Sequence, residues 1–345
     1  VYLIPLIGGF LADKWLGSRK AIAFGALLLV AGHLAMAVEG PPATQTLTYQ
    51  GATYDFQSTG RGDDRKVELM VGGKAYGYGP AQGGGLAINN LPPGAPLPAV
   101  LPAGAYELGV KPAPRIFKDI MFLALALIIM GVGYLKANIS SIVGQLYPKG
   151  DPRRDPGFTL YYYGINLGSF WAAYGCGALG QKIGWGWGFG AAGVGMALGW
   201  LIFVFGKPLL QGKGEPPQPE ALKKKVAGPI NLEWALYLAA LPGVAIVWVL
   251  VQYNGVVGWM LAAGSLIVLG YLGWVMATQC TKQERERLGL ALVLIGGSVV
   301  FWTLFEQAGS SLNQFAERNT DLRVGFGQSL TASQTQMFNA GWILI

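Results

Sequence analysis

The sequence predicts an all-α polytopic membrane protein with a small β-rich extracytoplasmic insertion. Three observations predict it. Of 345 residues, 52% are hydrophobic and only 12% charged, a balance that soluble globular domains do not have. Apolar runs of roughly 20 residues, enough to cross a ~30 Å hydrocarbon core, recur along the chain. One segment, 39 to 116, departs from that pattern and is rich in Gly, Pro and polar residues.

Taken in order, residues 1 to 38 hold the end of one apolar run, a polar turn over Asp13 to Lys20, and a span near 21 to 38. In segment 39 to 116, alternation over Thr46 to Phe56 reads as strand. Val67 to Val71 and Lys74 to Tyr78 flank Gly72-Gly73, a two-residue hairpin signal. Gly77, Gly79 and Gly83 to Gly85 do not make a phosphate loop, because no Gly-Lys-Ser/Thr follows. Spans then fall near 117 to 146, 157 to 180 and 186 to 206. Segment 207 to 231, with Pro208, Pro216, Pro217, Pro219 and Lys223 to Lys225, reads as a cytoplasmic linker between two helical halves. Beyond it come spans at 232 to 251 and 256 to 277, a third at 287 to 308, and a partial one at the end of 278 to 345.

The net charge of +7 speaks first about topology. With the turn 13 to 20 placed in the cytoplasm, the segments 13 to 20, 147 to 156, 207 to 231 and 278 to 288 lie inside and hold 14 Lys and Arg. The short outside segments 181 to 185 and 308 to 333 hold only Lys182, Arg318 and Arg323. That bias is the positive-inside signature, and it makes nucleic acid unnecessary as a partner. Cys176 and Cys280 fall on different helices and are expected to be free structural thiols. His33, the only histidine, is expected to pack rather than relay protons, and no metal site is expected. The chain begins and ends inside apolar stretches, at Val1 and over Gly341 to Ile345, and reads as cut at both ends.

Two charges stand inside apolar runs, Lys136 between Ile120 and Tyr147 and Glu306 between Leu288 and Phe315. A lysine at mid-bilayer costs about 2.5 to 3.5 kcal/mol, so it is expected to face a watery cavity or an acid. Each charge is the natural complement of the other. Tyr162, Asn166 and Ser169 fall at i, i+4 and i+7 of one span, and Trp302, Glu306 and Asn313 are expected to share a face of another. Polar stripes on helices of different halves point to a shared central cavity.

The motifs carry a family resemblance. Gly8-Gly9-Phe10-Leu11-Ala12-Asp13-Lys14-Trp15-Leu16-Gly17-Ser18-Arg19-Lys20 resembles the loop signature between the second and third helices of major facilitator transporters. Gly131 to Ser141, Asp151-Pro152-Arg153-Arg154-Asp155 and Tyr161 to Gly168 resemble the fourth and fifth helices of the proton-dependent oligopeptide transporter family. Phe305-Glu306-Gln307-Ala308-Gly309-Ser310-Ser311-Leu312-Asn313 is similar to its seventh helix, and Asn339 falls where its eighth carries an asparagine. Ala137 and Tyr161 depart from the family's usual Pro and Phe.

The resemblance implies a partial major facilitator fold. Residues 1 to 38 would be the end of helix 2, a gating loop with Asp13, Lys14 and Arg19, and helix 3. Helices 4 to 6 would occupy 117 to 206, an extra helix pair of the bacterial type 232 to 277, and helices 7 and 8 the segment 278 to 345. The first helix, with its Glu-x-x-Glu-Arg motif, and everything after the eighth would lie outside this chain. The implied activity is proton-coupled symport of di- and tripeptides across a bacterial inner membrane, without a cofactor. Lys136 and Glu306 would couple the proton, while Tyr2, Tyr162, Asn166, Trp302 and Asn339 would line the peptide site with them. Two other readings stay open: the same fold carrying an amino acid or nitrate, and a membrane-anchored binding protein acting through 39 to 116 on an unknown partner. No Gly-x-Ser-x-Gly elbow, His-rich cluster or Walker loop supports an enzyme or an ATP-driven pump.

Overall fold

The computed structural model describes residues 3–60, 65–325 and 327–345. Helix α1 (Ile4–Leu11) runs on through a π-helical turn, Ala12–Leu16, and the chain reverses at Gly17 into α2 (Gly17–Met36). Gly17 makes the reversal possible, since its φ of 73° and ψ of 153° belong to a region that only glycine visits freely. A side chain there would also meet the backbone of Gly214, Glu215 and Pro216 at 2.5 to 2.6 Å.

The chain next builds an all-antiparallel β unit. β1 (Thr44–Tyr49), β2 (Ala52–Thr59), β3 (Lys66–Val71) and β4 (Lys74–Tyr76) form a sheet with β8 (Tyr106–Lys111) in the order β4-β3-β2-β1-β8. β5 (Tyr78–Pro80), β6 (Leu86–Ile88) and β7 (Val100–Leu101) form a second sheet. Val71 pairs with Lys74 across Gly72 and Gly73, whose φ values of 58° and 79° give the mirror-image turn that suits strand twist. The alternation over Thr46 to Phe56 is two strands rather than one. Gln50 and Gly51, at φ 49° and 81°, turn the chain so that Tyr49 pairs with Ala52. Leu47, Phe56, Leu69, Ile88 and Leu101 belong to this unit's own buried core.

Helix α3 (Arg115–Gln145) is the axis of the first half. Glycines bring α1 and α2 against it backbone to backbone: a Cβ on Gly8 would lie 2.3 Å from Gly133 O, and one on Gly25 2.7 Å from Gly131 O. Small residues of this kind let membrane helices touch closely where no hydrophobic effect drives them together. Helix α4 (Arg154–Trp171) continues through a π-helical turn, Ala172–Cys176, into α5 (Gly177–Lys182), and α6 (Trp185–Phe205) follows. Trp200 on α6 donates its indole N–H to Ala23 O at 2.9 Å and so fixes α6 to α2. The 154–182 helix is not among the six runs long and apolar enough to span a membrane in the described residues. The reason is its composition, because Tyr161 to Tyr163, Asn166, Ser169 and several glycines lower its hydropathy.

The segment expected as a linker carries the short helix α7 (Pro219–Lys223) and a two-stranded hairpin before α8 (Leu232–Leu238), which Asn231 caps by accepting from Trp234 N–H at 3.0 Å. Helix α9 (Ala240–Gln252) lies on α3, and Trp248 donates to Asp119 O at 3.1 Å. Ala12 and Leu16 of the π-helical turn, Ala21 of α2, Ala126 and Met130 of α3 and Val244 of α9 join in one buried core, separate from that of the sheets. Helices α10 (Asn254–Thr278) and α11 (Lys282–Phe305) have no buried residue; α10 is apolar around its circumference, as is α11 beyond Arg287, and α11 opens on a Thr281–Glu284 capping box. The chain breaks at Ser310 before α12 (Ser311–Asn319), then turns at Ala332–Gln336 into α13 (Met337–Leu344). A Cβ on Gly341 of α13 would lie 3.5 Å from the Phe170 ring of α4, which marks the seam between the halves.

Candidate functional site

Lys136 lies on α3 and is exposed. Two residues on, Asn138 is 1% exposed and donates to Tyr134 O at 2.8 Å and to Gly8 O at 3.3 Å. The first bond stays within α3 and aims the amide, and the second fixes α1 to α3 about half a turn from the lysine. The sequence reading passed over Asn138, although an asparagine inside an apolar span is itself a signal for a buried polar tie.

Glu306 opens the 3₁₀ turn Glu306–Gly309 at the end of α11 and is exposed. Among the described residues no ion pair joins it to Lys136. Trp302, half exposed, sits one turn before it with its ring edge-on to Phe305 at 5.4 Å. Asn313 does not share that face. The helix stops first because Gly309 is a weak helix former and the hydroxyls of Ser310 and Ser311 donate to Gln307 Oε1 at 3.2 and 2.6 Å.

On α4, Tyr162 and Asn166 do share a face, with Asn166 Nδ2 donating to Tyr162 O at 2.9 Å. Asn166 is the one buried side chain of that helix and Tyr162 is 54% exposed. Asn339 is exposed on α13. α13 runs antiparallel to α4, with Ser333 against Gly177 and Gly341 against Phe170. This register sets Asn339 about six residues, or about 9 Å of helical rise, from the level of Asn166. A ligand touching both must be extended. Tyr2 lies outside the described residues.

The three residues of the expected gating loop have different surroundings. Asp13 is exposed in the π-helical turn and does not cap α2, whose first turn has no side-chain cap. Lys14 Nζ stands over the Trp15 ring at 4.5 Å and the Phe10 ring at 5.4 Å. Arg19 grips Glu215 with two nitrogens at 2.7 and 3.2 Å. Around that grip, Arg19 N–H donates to Gly214 O at 2.9 Å, Gly214 N–H to Gln145 Oε1 at 3.0 Å, and Lys20 pairs with Glu233 at 2.6 Å. The 207–231 segment is thereby clasped to α2 and α3. The Arg19 guanidinium holds the Glu215 carboxyl below the ordinary glutamate range, with Lys207 at 3.5 Å adding to it. Glu215 escaped the sequence reading because nothing local distinguishes it from any linker acid.

At the other end of the molecule, Gln181 and Gln334 join the halves through side-chain to backbone bonds. The Thr331-x-x-Gln334 capping box was legible as a pattern, but its contact across 160 residues was not. His33 packs with Nδ1 at 2.7 Å from Leu29 O.

Six helices long and apolar enough to cross a membrane among the described residues, several of them packed on one another at glycines, define a polytopic membrane protein. The POT family model matches residues 19–345, and the chain belongs to that family. It is 34% identical over 228 residues to "Dipeptide and tripeptide permease A" of Pectobacterium carotovorum subsp. carotovorum (strain PC1), covering 65% of this chain and 43% of that protein. It is 27% identical over 350 residues to "Uncharacterized transporter YclF" of Bacillus subtilis (strain 168), covering 100% of this chain and 54% of the relative. Among solved structures, a peptide transporter POT mutant in complex with alafosfalin superposes with a TM-score of 0.63 at 28% identity, over 99% of this chain and 54% of that one. The chain thus spans about half the length of the relatives it matches.

Proposed function

We propose that the complete protein carries di- and tripeptides into the cell together with protons, by alternating access across a bacterial inner membrane, with no cofactor beyond the proton gradient. The observation that carries the reading is the placement of Lys136 and Glu306 on helices of the two opposing halves in a chain of the POT family. A relative named for dipeptides and tripeptides supports the cargo.

In this reading α1 and α2 are the end of helix 2 and helix 3. Helices α3 to α6 are helices 4 to 6, α8 to α10 the extra pair, and α11 to α13 helices 7 and 8. The β unit then stands on the outer face as an insertion. A peptide brings an ammonium, a carboxylate and amides, so its site needs an anion holder, a cation partner and groups that both donate and accept. Lys136, Glu306, and Asn166 with Asn339 supply them; Tyr2, Tyr162 and Trp302 line the side-chain pockets. Lys136 and Glu306 pair in a state of the cycle other than the one described. At about 4 Å such a pair gains about 4 kcal/mol at an effective dielectric of 20, enough to bias closure. Protonating Glu306 releases Lys136 to the peptide carboxylate, and one proton moving down 100 mV supplies about 2.3 kcal/mol for the uphill step.

The test is dipeptide uptake driven by a pH gradient into liposomes holding the complete protein. Lys136→Ala should abolish it, and Glu306→Gln should leave exchange while removing proton-driven accumulation. Full accumulation by Glu306→Gln would remove the switch role from that residue. Competition by unlabelled amino acids and nitrate separates the alternative cargoes.

A further inference from the structure

The turn after Lys182 sits at the sheet-bearing end of the molecule, where Gly186 N–H donates to Glu39 Oε2 at 3.1 Å. At this same end the two halves are joined by a small, specific contact. Gln181 Oε1 accepts the Ser333 N–H at 2.9 Å, and Gln334 Nε2 donates to Tyr174 O at 3.2 Å. Gln334 is 6% exposed, and its Oε1 is already held by the Thr331 N–H at 2.8 Å, so its amide is aimed before it crosses the seam. Its acceptor, Tyr174 O, belongs to the π-helical turn Ala172–Cys176. Such bulges disturb the regular carbonyl ladder and are frequent at functional sites. Gly177 closes the contact, because a Cβ there would stand only 3.0 Å from Ser333 Cβ. Behind it lies a cavity of about 260 Å³ lined by His33, Cys176, Trp185, Phe189, Ser333 and Gln336.

The clasp at Arg19 and Glu215, on the opposite end, ties the linker to the first half alone. The Gln181 and Gln334 bonds tie half to half. They are neutral, and each exchanges a side-chain amide for a backbone group that water can satisfy equally well once the halves part. Contacts of this kind break without leaving a buried charge behind. From this geometry we infer that Gln181 and Gln334, closing on Gly177, form a latch that holds the sheet-side mouth between the two halves shut. The inference rests on the reading of the protein as an alternating-access transporter, and it makes both glutamines positioning residues for the cycle, with no contact to substrate.

Cys176 offers a reporter that needs no substrate. In the complete protein with every other thiol replaced, including Cys280→Ser, a membrane-impermeant maleimide is applied from the sheet side. Gln181→Ala with Gln334→Ala should raise the labelling rate of Cys176 about tenfold, as expected for the loss of two bonds that hold a two-state seam closed. The rate from the opposite side should not rise. Unchanged sheet-side labelling in a folded variant would make the contact static packing and overturn the latch. If the double variant misfolds, Gln181→Met, near in size and removing only the bond from the Ser333 N–H, leaves the Thr331–Gln334 capping box intact and should raise labelling about threefold; no rise overturns the latch equally. Raised labelling without any dipeptide uptake by the parent would keep the latch and sink the peptide reading instead.

Discussion

At the scale of single residues, the clasp on the linker makes the sharpest predictions. Glu215 ionises below its ordinary value of 4.5 because Arg19 binds the carboxylate. A depressed folded-state value means that the pair's stabilisation is fully present above the unfolded glutamate value and is lost as pH falls through the folded one. Glu215→Gln should therefore lower stability by about 1 kcal/mol or less at pH 7, as expected for a partly exposed pair. The difference from the parent should vanish as melting is repeated at pH values descending below 4.5. A gap that persisted there would mean that packing, and not charge, is lost. Gly17→Ala acts on the backbone side of the same clasp. It forces a side chain into φ 73°, ψ 153° and against the Gly214 to Pro216 backbone. A loss of about 1 to 3 kcal/mol is expected from the strain alone, and limited proteolysis should cut first within 207 to 231.

At the scale of elements, α3 shows what the sequence could and could not reveal. Its length and apolarity were plain, and Lys136 within it was conspicuous. That two faces of it would be met at glycines, Gly25 on Gly131 and Gly8 on Gly133, was hidden, because a glycine in a membrane span has the same appearance whether it marks a crossing, a kink or nothing. The same limit applies to α11. A periodic pattern placed Asn313 on the face of Trp302 and Glu306, but pattern counting does not register that Ser310 and Ser311 turn their hydroxyls back on Gln307 and end the helix. The Gly72-Gly73 turn was legible because two consecutive glycines between alternating strands have one good backbone solution; Gln50-Gly51 reaches the same solution with a weaker signal. The glycine crossing leads to a prediction of its own. Gly131→Val would press a branched side chain into Gly25 O, 2.7 Å from where its Cβ must lie, and into the backbone of Leu29. Since backbone cannot step aside as a side chain can, α2 should separate from α3. The loss should be about 1 to 3 kcal/mol or more, read as a lower melting temperature in detergent, and Gly25→Val should produce the same result from the other side.

At the scale of the whole molecule, the two buried cores share no residue: Leu47, Phe56, Leu69, Ile88 and Leu101 serve the sheets, and Leu16, Ala126, Met130 and Val244 the helices. A unit whose core is its own shares no buried residue with the helices, so removing it need not loosen the rest. The entry and exit strands make the excision geometrically mild. Thr44 is paired directly with Lys111, which puts the cut ends about 5 Å apart, within reach of a linker of about three residues. The cut must leave Glu39 and Gly40 in place. Glu39 accepts from Gly186 N–H, and Gly40 lies against Phe117, so both belong to the helical seam even though they precede the first strand. Replacing residues 44 to 111 by a short Gly-Ser linker should therefore preserve the melting temperature of the helical part to within a few degrees and leave the proposed dipeptide uptake at the parent's level. If uptake survives, the β unit is an accessory to transport and whatever it binds is a separate matter. If the helices melt as before but uptake disappears, the sheets take part in the cycle, and the sheet-side mouth closed by Gln181 and Gln334 becomes the place where they act.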